Sequence, residues 1–233
     1  MEYKLTAIIL QARLDSKRLS GKALLPLDGK PIIFRVMEAL NNVPVDLRLL
    51  ACPDDSFTVL SPIAAEAGFK IHAGPKEDVL ERYCQAIRRF GIKRVIRATG
   101  DNPFVFADAA IAVNKEAIKH NADYAGYLEL PIGAGVESVS ATALLRAASL
   151  AVTSYDREHV CPFLYNHPEI FNVYRPIAPK IWQAPGLRLT VDTQEDYEFA
   201  VKLYDALKDK HDGETIISHT NQAVRQDCQR HNV

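Results

Sequence analysis

Cysteine is scarce and scattered. Four residues, Cys52, Cys84, Cys161 and Cys228, occur with no C-x-x-C spacing. That pattern excludes the dense disulfide framework of a small secreted domain and a clustered zinc site, and it fits reduced thiols in a cytoplasmic protein. Long apolar runs are also missing. The early run Ala7-Ile8-Ile9-Leu10 stops at Gln11, too short for a signal sequence and far short of the roughly 20 residues of a membrane span. No charge surplus exists either: 28 Lys plus Arg against 29 Asp plus Glu leave a net charge of −1. A general nucleic-acid binder would carry a basic excess. Three nucleotide motifs are absent as well. The Walker pattern fails because Ser16 stands at its first glycine position and Ala23 follows Lys22, no G-x-G-x-x-G occurs, and no D-x-D occurs. The last absence counts against a GT-A glycosyltransferase.

What is present is ordinary globular material, 233 residues of which 48% are hydrophobic and 24% charged, enough to bury a full core without staples. Short apolar runs alternate with amphipathic stretches. The pattern predicts strands over 5–10, 47–52, 70–73, 94–98, 124–126, 136–140, 171–177 and 188–191. Helices are expected over 32–41, 56–67, 78–90, 107–120 and 195–207. The third is clearest, with Val79, Leu80, Tyr83, Ala86, Ile87 and Phe90 at helical spacing and Gly91 as a stop. Such alternation implies an α/β fold, a mostly parallel sheet with helices on both faces. Between 124 and 185, prolines and glycines break the rhythm, so a single domain spanning 1–233 with an irregular arm over 124–185 is expected. The apolar and aromatic side chains of that arm must pack on the parent domain or on a partner.

Ligands of open α/β sheets bind beyond the C-terminal ends of the strands, and three such ends carry chemistry. The first strand runs into a loop with Arg13, Lys17, Arg18 and Lys22 against one acid, Asp15. Arginine forks, lysine point charges and the backbone at Gly21 suit a polyphosphate; a solvated charged loop is the competing account. The fourth strand ends at Gly100-Asp101-Asn102-Pro103, where Asp101 either faces the crevice or holds its own turn. The late strand ends at Asp192-Thr193, where either residue could cap the following helix. Two carboxylates on separate strand ends beside a cationic loop match the one or two carboxylates that Mg²⁺ takes alongside phosphate oxygens.

The run Gln11-Ala12-Arg13, Ser16-Lys17-Arg18-Leu19-Ser20-Gly21-Lys22, Leu25-Pro26-Leu27 and Gly29-Lys30-Pro31 resembles the N-terminal signature of cytidylyltransferases that make CMP-activated acidic sugars. It looks closest to the spore coat polysaccharide biosynthesis protein SpsF family, relatives of the CMP-Kdo and CMP-sialate synthetases. Glu77-Asp78-Val79-Leu80-Glu81-Arg82-Tyr83, Gly100-Asp101-Asn102-Pro103, Arg157-Glu158-His159-Val160 and Leu189-Thr190-Val191-Asp192-Thr193 follow in the family's order. The resemblance implies a nucleotide-diphospho-sugar transferase fold and transfer of CMP from CTP to an acidic sugar, with release of pyrophosphate. It implies that Arg13 and Lys22 hold the triphosphate and act in catalysis, and that Asp101 and Asp192 bind Mg²⁺. Gln11, Ala12, Arg18, Gly21, Gly74, Asp78 and Arg82 would contact the nucleotide, and Glu137, Arg157 and His159 the sugar. For His159, an imidazole hydrogen-bonded within its own helix is the alternative. The resemblance also implies a homodimer formed through the arm.

Three departures stand out. Ser20 replaces the family's usual proline, Phe104-Val105-Phe106 follows Pro103 where a further acid is usual, and Gly135 stands where an aspartate is frequent. The triphosphate and metal positions are intact, so the departures bear on the acceptor pocket. A nucleotide-binding regulator without turnover is the rival from another class.

Overall fold

The computed structural model describes residues 5–16, 18–208 and 210–220; Lys17 and Cys228 lie outside them. The chain runs β1 (Thr6–Gln11), the small hairpin β2 (Pro26–Leu27) and β3 (Lys30–Pro31), α1 (Ile32–Leu40), β4 (Leu47–Pro53), α2 (Phe57–Glu66), β5 (Lys70–Gly74), α3 (Val79–Phe90), β6 (Arg94–Thr99) and α4 (Ala107–Lys119). There follow β7 (Tyr124–Ala125), β8 (Glu137–Ser140), α5 (Ala141–Leu150), α6 (Ser154–His159), α7 (Pro162–Tyr165), β9 (Val173–Tyr174) and α8 (Gln194–Leu207).

Seven strands form one sheet in the order β5-β4-β1-β6-β8-β7-β9. The first four are parallel, while β8 runs antiparallel to both neighbours. The chain steps outward from β1 to β4 and β5, then returns through α3 to β6 on the other side of β1. The order therefore reverses between β1 and β6, where open sheets of this class place a ligand crevice. Gln11 and Thr99 end the two strands in register with each other.

Alternation along β1 builds a core on each face. Ile8 and Leu10 pack with α1, α2, α4 and α8, and Ala7 and Ile9 pack with α3 and α5; all four are fully buried. Helix α3 forms as its apolar spacing predicts. Asp78 accepts from the Glu81 amide at 2.9 Å to cap its start, and Gly91 at φ 67° closes its end.

Three expectations change. Residues 188–191 do not form a strand, because their backbone partners lie in two different loops. Leu189 N donates to Ile132 O at 2.8 Å and Val191 N donates to Asp101 O at 2.9 Å, leaving one isolated bridge, Ile132 to Arg188. The regular strand over 171–177 narrows to β9, and beyond Pro176, which brings no N–H, the pairing persists as a single isolated bridge, Leu128 to Ile177. The stretch expected as an irregular arm is in large part regular. It gives three strands to the parent sheet and three helices, and Val139, Leu164 and Phe171 bury against the parent core.

Candidate active site

Lys22 opens a short 3₁₀ turn directly after Gly21, whose φ of 63° aims the chain back toward the sheet. Its ammonium donates to Asp101 Oδ2 and to Asp192 Oδ1, both at 2.8 Å. Asp101 reaches this point because Gly100 lets its loop press against β1 and α1. A Cβ there would lie 2.6 Å from Ile33 Cδ1 and 2.9 Å from Ala12 Cβ. Asp192 is free to join because it is not the cap of α8. Thr193 and Asp196 form a reciprocal capping box, and Asp196 Oδ2 also accepts from the Asp192 amide at 2.9 Å. Arg18 lies 2.8 Å from Asp192 Oδ1, and Arg188 pairs with its other oxygen. Burial alone would raise the Asp192 pKa, but the Lys22 hydrogen bond and the charges of Lys22, Arg18 and Arg188 hold it below the usual carboxylate value.

These groups border a cleft of about 760 Å³ at the β1/β6 reversal, lined among others by Gln11, Arg13, Arg82, Asn102, Gly133 and His159. Arg82 is 2% exposed, its Nε has no hydrogen-bond partner among the described residues, and a terminal nitrogen donates to Lys76 O over a long 3.3 Å. Burial lowers its pKa. A buried guanidinium with no carboxylate paired to it among the described residues is a receptor for an anion or a carbonyl oxygen. Arg13 is half-exposed and, among the described residues, pairs loosely with Glu158 at 3.5 Å and Asp15 at 3.9 Å, so it too can turn to a ligand.

Of the residues singled out by sequence, Gln11, Ala12, Arg13, Arg18, Lys22, Arg82, Asp101, His159 and Asp192 share the cleft. Gly21, Gly74, Asp78, Glu137 and Arg157 are not in its lining. Asp78 and Arg157 instead pair with each other at 2.6 Å, tying α6 to the start of α3, and Arg157 also donates to the carbonyls of Ala148 and Ala151. Gly74 lies under the Arg82 and Gln85 side chains. His159 packs against Tyr155 with ring centres 4.4 Å apart and the rings tilted at 49°. Glu137 is held by Arg97 and by the Tyr124 hydroxyl at 2.9 Å. Arg97 is a charged lining residue that sequence reasoning missed; the available signal was a charge inside the otherwise apolar run Val95-Ile96-Arg97-Ala98. The three described cysteines are buried and free, and burial pushes the Cys52 and Cys84 thiols up to about 11, as expected of inert core thiols.

The family model described as cytidylyltransferase matches residues 7–228. This chain belongs to the cytidylyltransferase family. It is a CTP-dependent nucleotidyltransferase. Spore coat polysaccharide biosynthesis protein SpsF of Bacillus subtilis is 34% identical over 203 residues, covering 84% of this chain and 85% of that one. A 3-deoxy-manno-octulosonate cytidylyltransferase of Anaeromyxobacter dehalogenans is 32% identical over 110 residues, 46% of this chain and 45% of its own. Among solved structures, a cytidylyltransferase from Leptospira borgpetersenii superposes with a TM-score of 0.89 at 22% identity, over 96% of both chains. A CMP:2-keto-3-deoxy-manno-octonic acid synthetase complexed with CTP gives 0.69 at 17% identity, over 87% of this chain and 99% of that one. At those identities the likeness is one of fold.

Proposed function

We propose that this cytidylyltransferase transfers CMP from CTP to an acidic sugar of the nonulosonic or octulosonic type, releasing pyrophosphate, in the making of a surface polysaccharide. The observation that carries the reading is Lys22 seated between Asp101 and Asp192 at the sheet reversal. Two carboxylates converging on one cation, walled by arginines, form a site for a triphosphate and its counter-ion. The donor set fits Mg²⁺. No cluster of three acidic, histidine or cysteine ligands occurs among the described residues, and Mg²⁺ asks for few carboxylates because it keeps water and phosphate oxygens. When bound by Asp101 and Asp192, it would supply charge neutralisation at the phosphate oxygens.

The chain's own residues supply position and charge. Lys22, turned from the aspartates to the triphosphate, and Arg13 and Arg18 stabilise charge on the departing pyrophosphate. Arg82, buried and unpaired, holds the nucleotide at the other end of the cleft. His159, which lines the cleft and follows the Glu158 that pairs with Arg13, borders the acceptor side, and Arg157 acts on that side by fixing α6. Holding both reactants in line is the larger part of the catalysis.

The acceptor is proposed from the kinship with SpsF and the Kdo enzymes, and so is a homodimer. Leu128, Ile132, Ile177 and Ile181 are exposed on two segments bridged at Leu128–Ile177, and Ile132 reaches the cleft. A second copy would cover that ridge and close the acceptor side. Pyrophosphate release, screened over four nucleoside triphosphates and a panel of acidic sugars with and without Mg²⁺, tests the reading. Release with CTP and one acidic sugar supports it. Nucleotide binding without release under every condition would select a regulator instead.

A further inference from the structure

We propose that Arg97 is a positioning residue for the nucleotide, acting through Gln11, and that Glu137 is its anchor. Arg97 lies on β6 between two registers, opposite Ile9 of β1 and Glu137 of β8. Its guanidinium is buried, with one terminal nitrogen on Glu137 and Nε donating to Gln11 Oε1 at 3.2 Å. The second oxygen of Glu137 accepts from Tyr124 at 2.9 Å. The result is a chain of four side chains, Tyr124 to Glu137 to Arg97 to Gln11, leading from the second core to the cleft.

Chemistry fixes the direction of its last link. A guanidinium has donors and no acceptor, so only the oxygen of the Gln11 amide can face it. The amide nitrogen is thereby held on the other side. Gln11 ends β1 at the reversal and lines the cleft, between Ala12 and the Thr99–Asp101 turn. It therefore offers N–H donors, and no acceptor, to whatever occupies the cleft. A nucleotide presents acceptors there, either phosphate oxygens or a base carbonyl. A free glutamine would sample both faces and lose part of that preference.

The pairing also explains why Arg97 is not itself a ligand for an anion. Its charge is matched by Glu137, so the pair adds little net field to the cleft. What it adds is orientation, which costs nothing at the moment of binding because it is already built. Glu137, expected from the resemblance to touch the sugar, takes the place of a support behind the nucleotide side.

The inference rests on CTP being the nucleotide and is independent of the acceptor. The test is calorimetric titration of CTP into the full chain without sugar, for wild type, Gln11→Ala, Gln11→Glu, Arg97→Lys and the double variant Arg97→Lys with Gln11→Ala. Removing the donor should weaken CTP roughly tenfold, the worth of one hydrogen bond. Gln11→Glu keeps the Arg97 contact but turns an oxygen to the ligand, and should weaken CTP about a hundredfold through like-charge contact. Lysine at 97 keeps the charge opposite Glu137 but loses the planar fork, so it should cost roughly fivefold in the wild-type background and nothing further beside Gln11→Ala. Equal weakening by Arg97→Lys in both backgrounds would overturn the proposal, as would Gln11→Ala binding CTP normally. Should Arg97→Lys melt early, Glu137→Gln gives the same non-additive comparison from the other end of the pair. A wild-type protein that binds no CTP would overturn the assignment of the cleft and this proposal with it, whereas the additive pattern overturns this proposal alone.

Discussion

Replacing Lys22 by methionine removes the cation from between two carboxylates and keeps most of the side chain's length. The two oxygens it joins, each 2.8 Å from the ammonium, are at most about 5.6 Å apart. Two unit charges at that distance repel by ~3 kcal/mol at an effective dielectric of 20 and by less than ~1 kcal/mol in open water. Arg18 and Arg188 still hold Asp192 in the variant, so the unpaired charge is chiefly that of Asp101. A loss of about 1–3 kcal/mol follows, or roughly 2–10 °C in Tm for a chain of this size. Mg²⁺ should restore most of it, since the vacated space between the carboxylates now takes a divalent cation, and binding stabilises by mass action. In wild type, Lys22 competes for the same oxygens, so Mg²⁺ without nucleotide should shift Tm little. Scanning calorimetry of both proteins across millimolar MgCl₂ reads both effects. A variant that melts like wild type shows that Lys22 is not lodged there. A destabilised variant that Mg²⁺ fails to rescue shows that the carboxylates do not hold the metal.

Arg13→Ala should leave the melting curve unchanged, because its present ion pairs are long and half-exposed, and should slow pyrophosphate release at least about a hundredfold, the worth of one electrostatic donor. Arg157→Ala should do the opposite, costing about 1–3 kcal/mol of stability by freeing the cap of α3 and two carbonyl acceptors, visible in urea unfolding; an unchanged midpoint with lost activity would return Arg157 to the sugar. His72 is buried with no close hydrogen-bond partner for either ring nitrogen among the described residues, and burial, then the charges of Arg89 and Arg82, lower its pKa against the opposing pull of the Arg82 backbone and of Asp54. Because the unfolded chain then binds the extra proton, stability should fall as pH drops through the usual value of 6.5, and His72→Phe should flatten the Tm–pH profile between pH 7.5 and 5.5 to within about 1 °C on that reasoning. Ile177→Asp with Ile181→Asp should convert a dimer to a monomer in light scattering; a wild-type protein that is already a monomer of 25.9 kDa removes the dimer reading.

The strands and helices that show in the sequence are those whose burial is regular. β1 and α3 declare themselves through uniform burial and helical spacing, with a cap and a glycine stop. The Asp101 and Asp192 carboxylates and Lys22 were legible because each follows an apolar run or a glycine, where little else competes for the position. Helix α5 was hidden by the prolines and glycines on either side of it, although Ala141, Leu144 and Ala147 bury one face. Asp78 shows the limit of motif reading, since a cap and a ligand use the same residue type at the same place. Arg97 shows another: a charge inside a strand reads as an outward-facing residue until the partner strand brings Glu137 opposite it. Residues 188–191 have the composition of a strand, but pairing depends on which backbone lies alongside, and no local pattern records that.

Those same residues decide how the protein tolerates change in length. Val191 N is bonded to Asp101 O, so the backbone of one carboxylate's loop is riveted to the other's. Leu189 ties the same segment to Ile132 and thereby to the exposed ridge. An insertion or deletion between 102 and 106, or between 184 and 190, therefore shifts both carboxylates out of alignment at once, even where it leaves every cleft residue in place. Loops at the opposite ends of the strands are also cross-bonded, Lys93 N to Leu5 O at 2.9 Å and Asp46 N to Thr6 O at 3.0 Å, but those bonds do not run through either carboxylate's loop, so a change of length there leaves the alignment of Asp101 and Asp192 untouched.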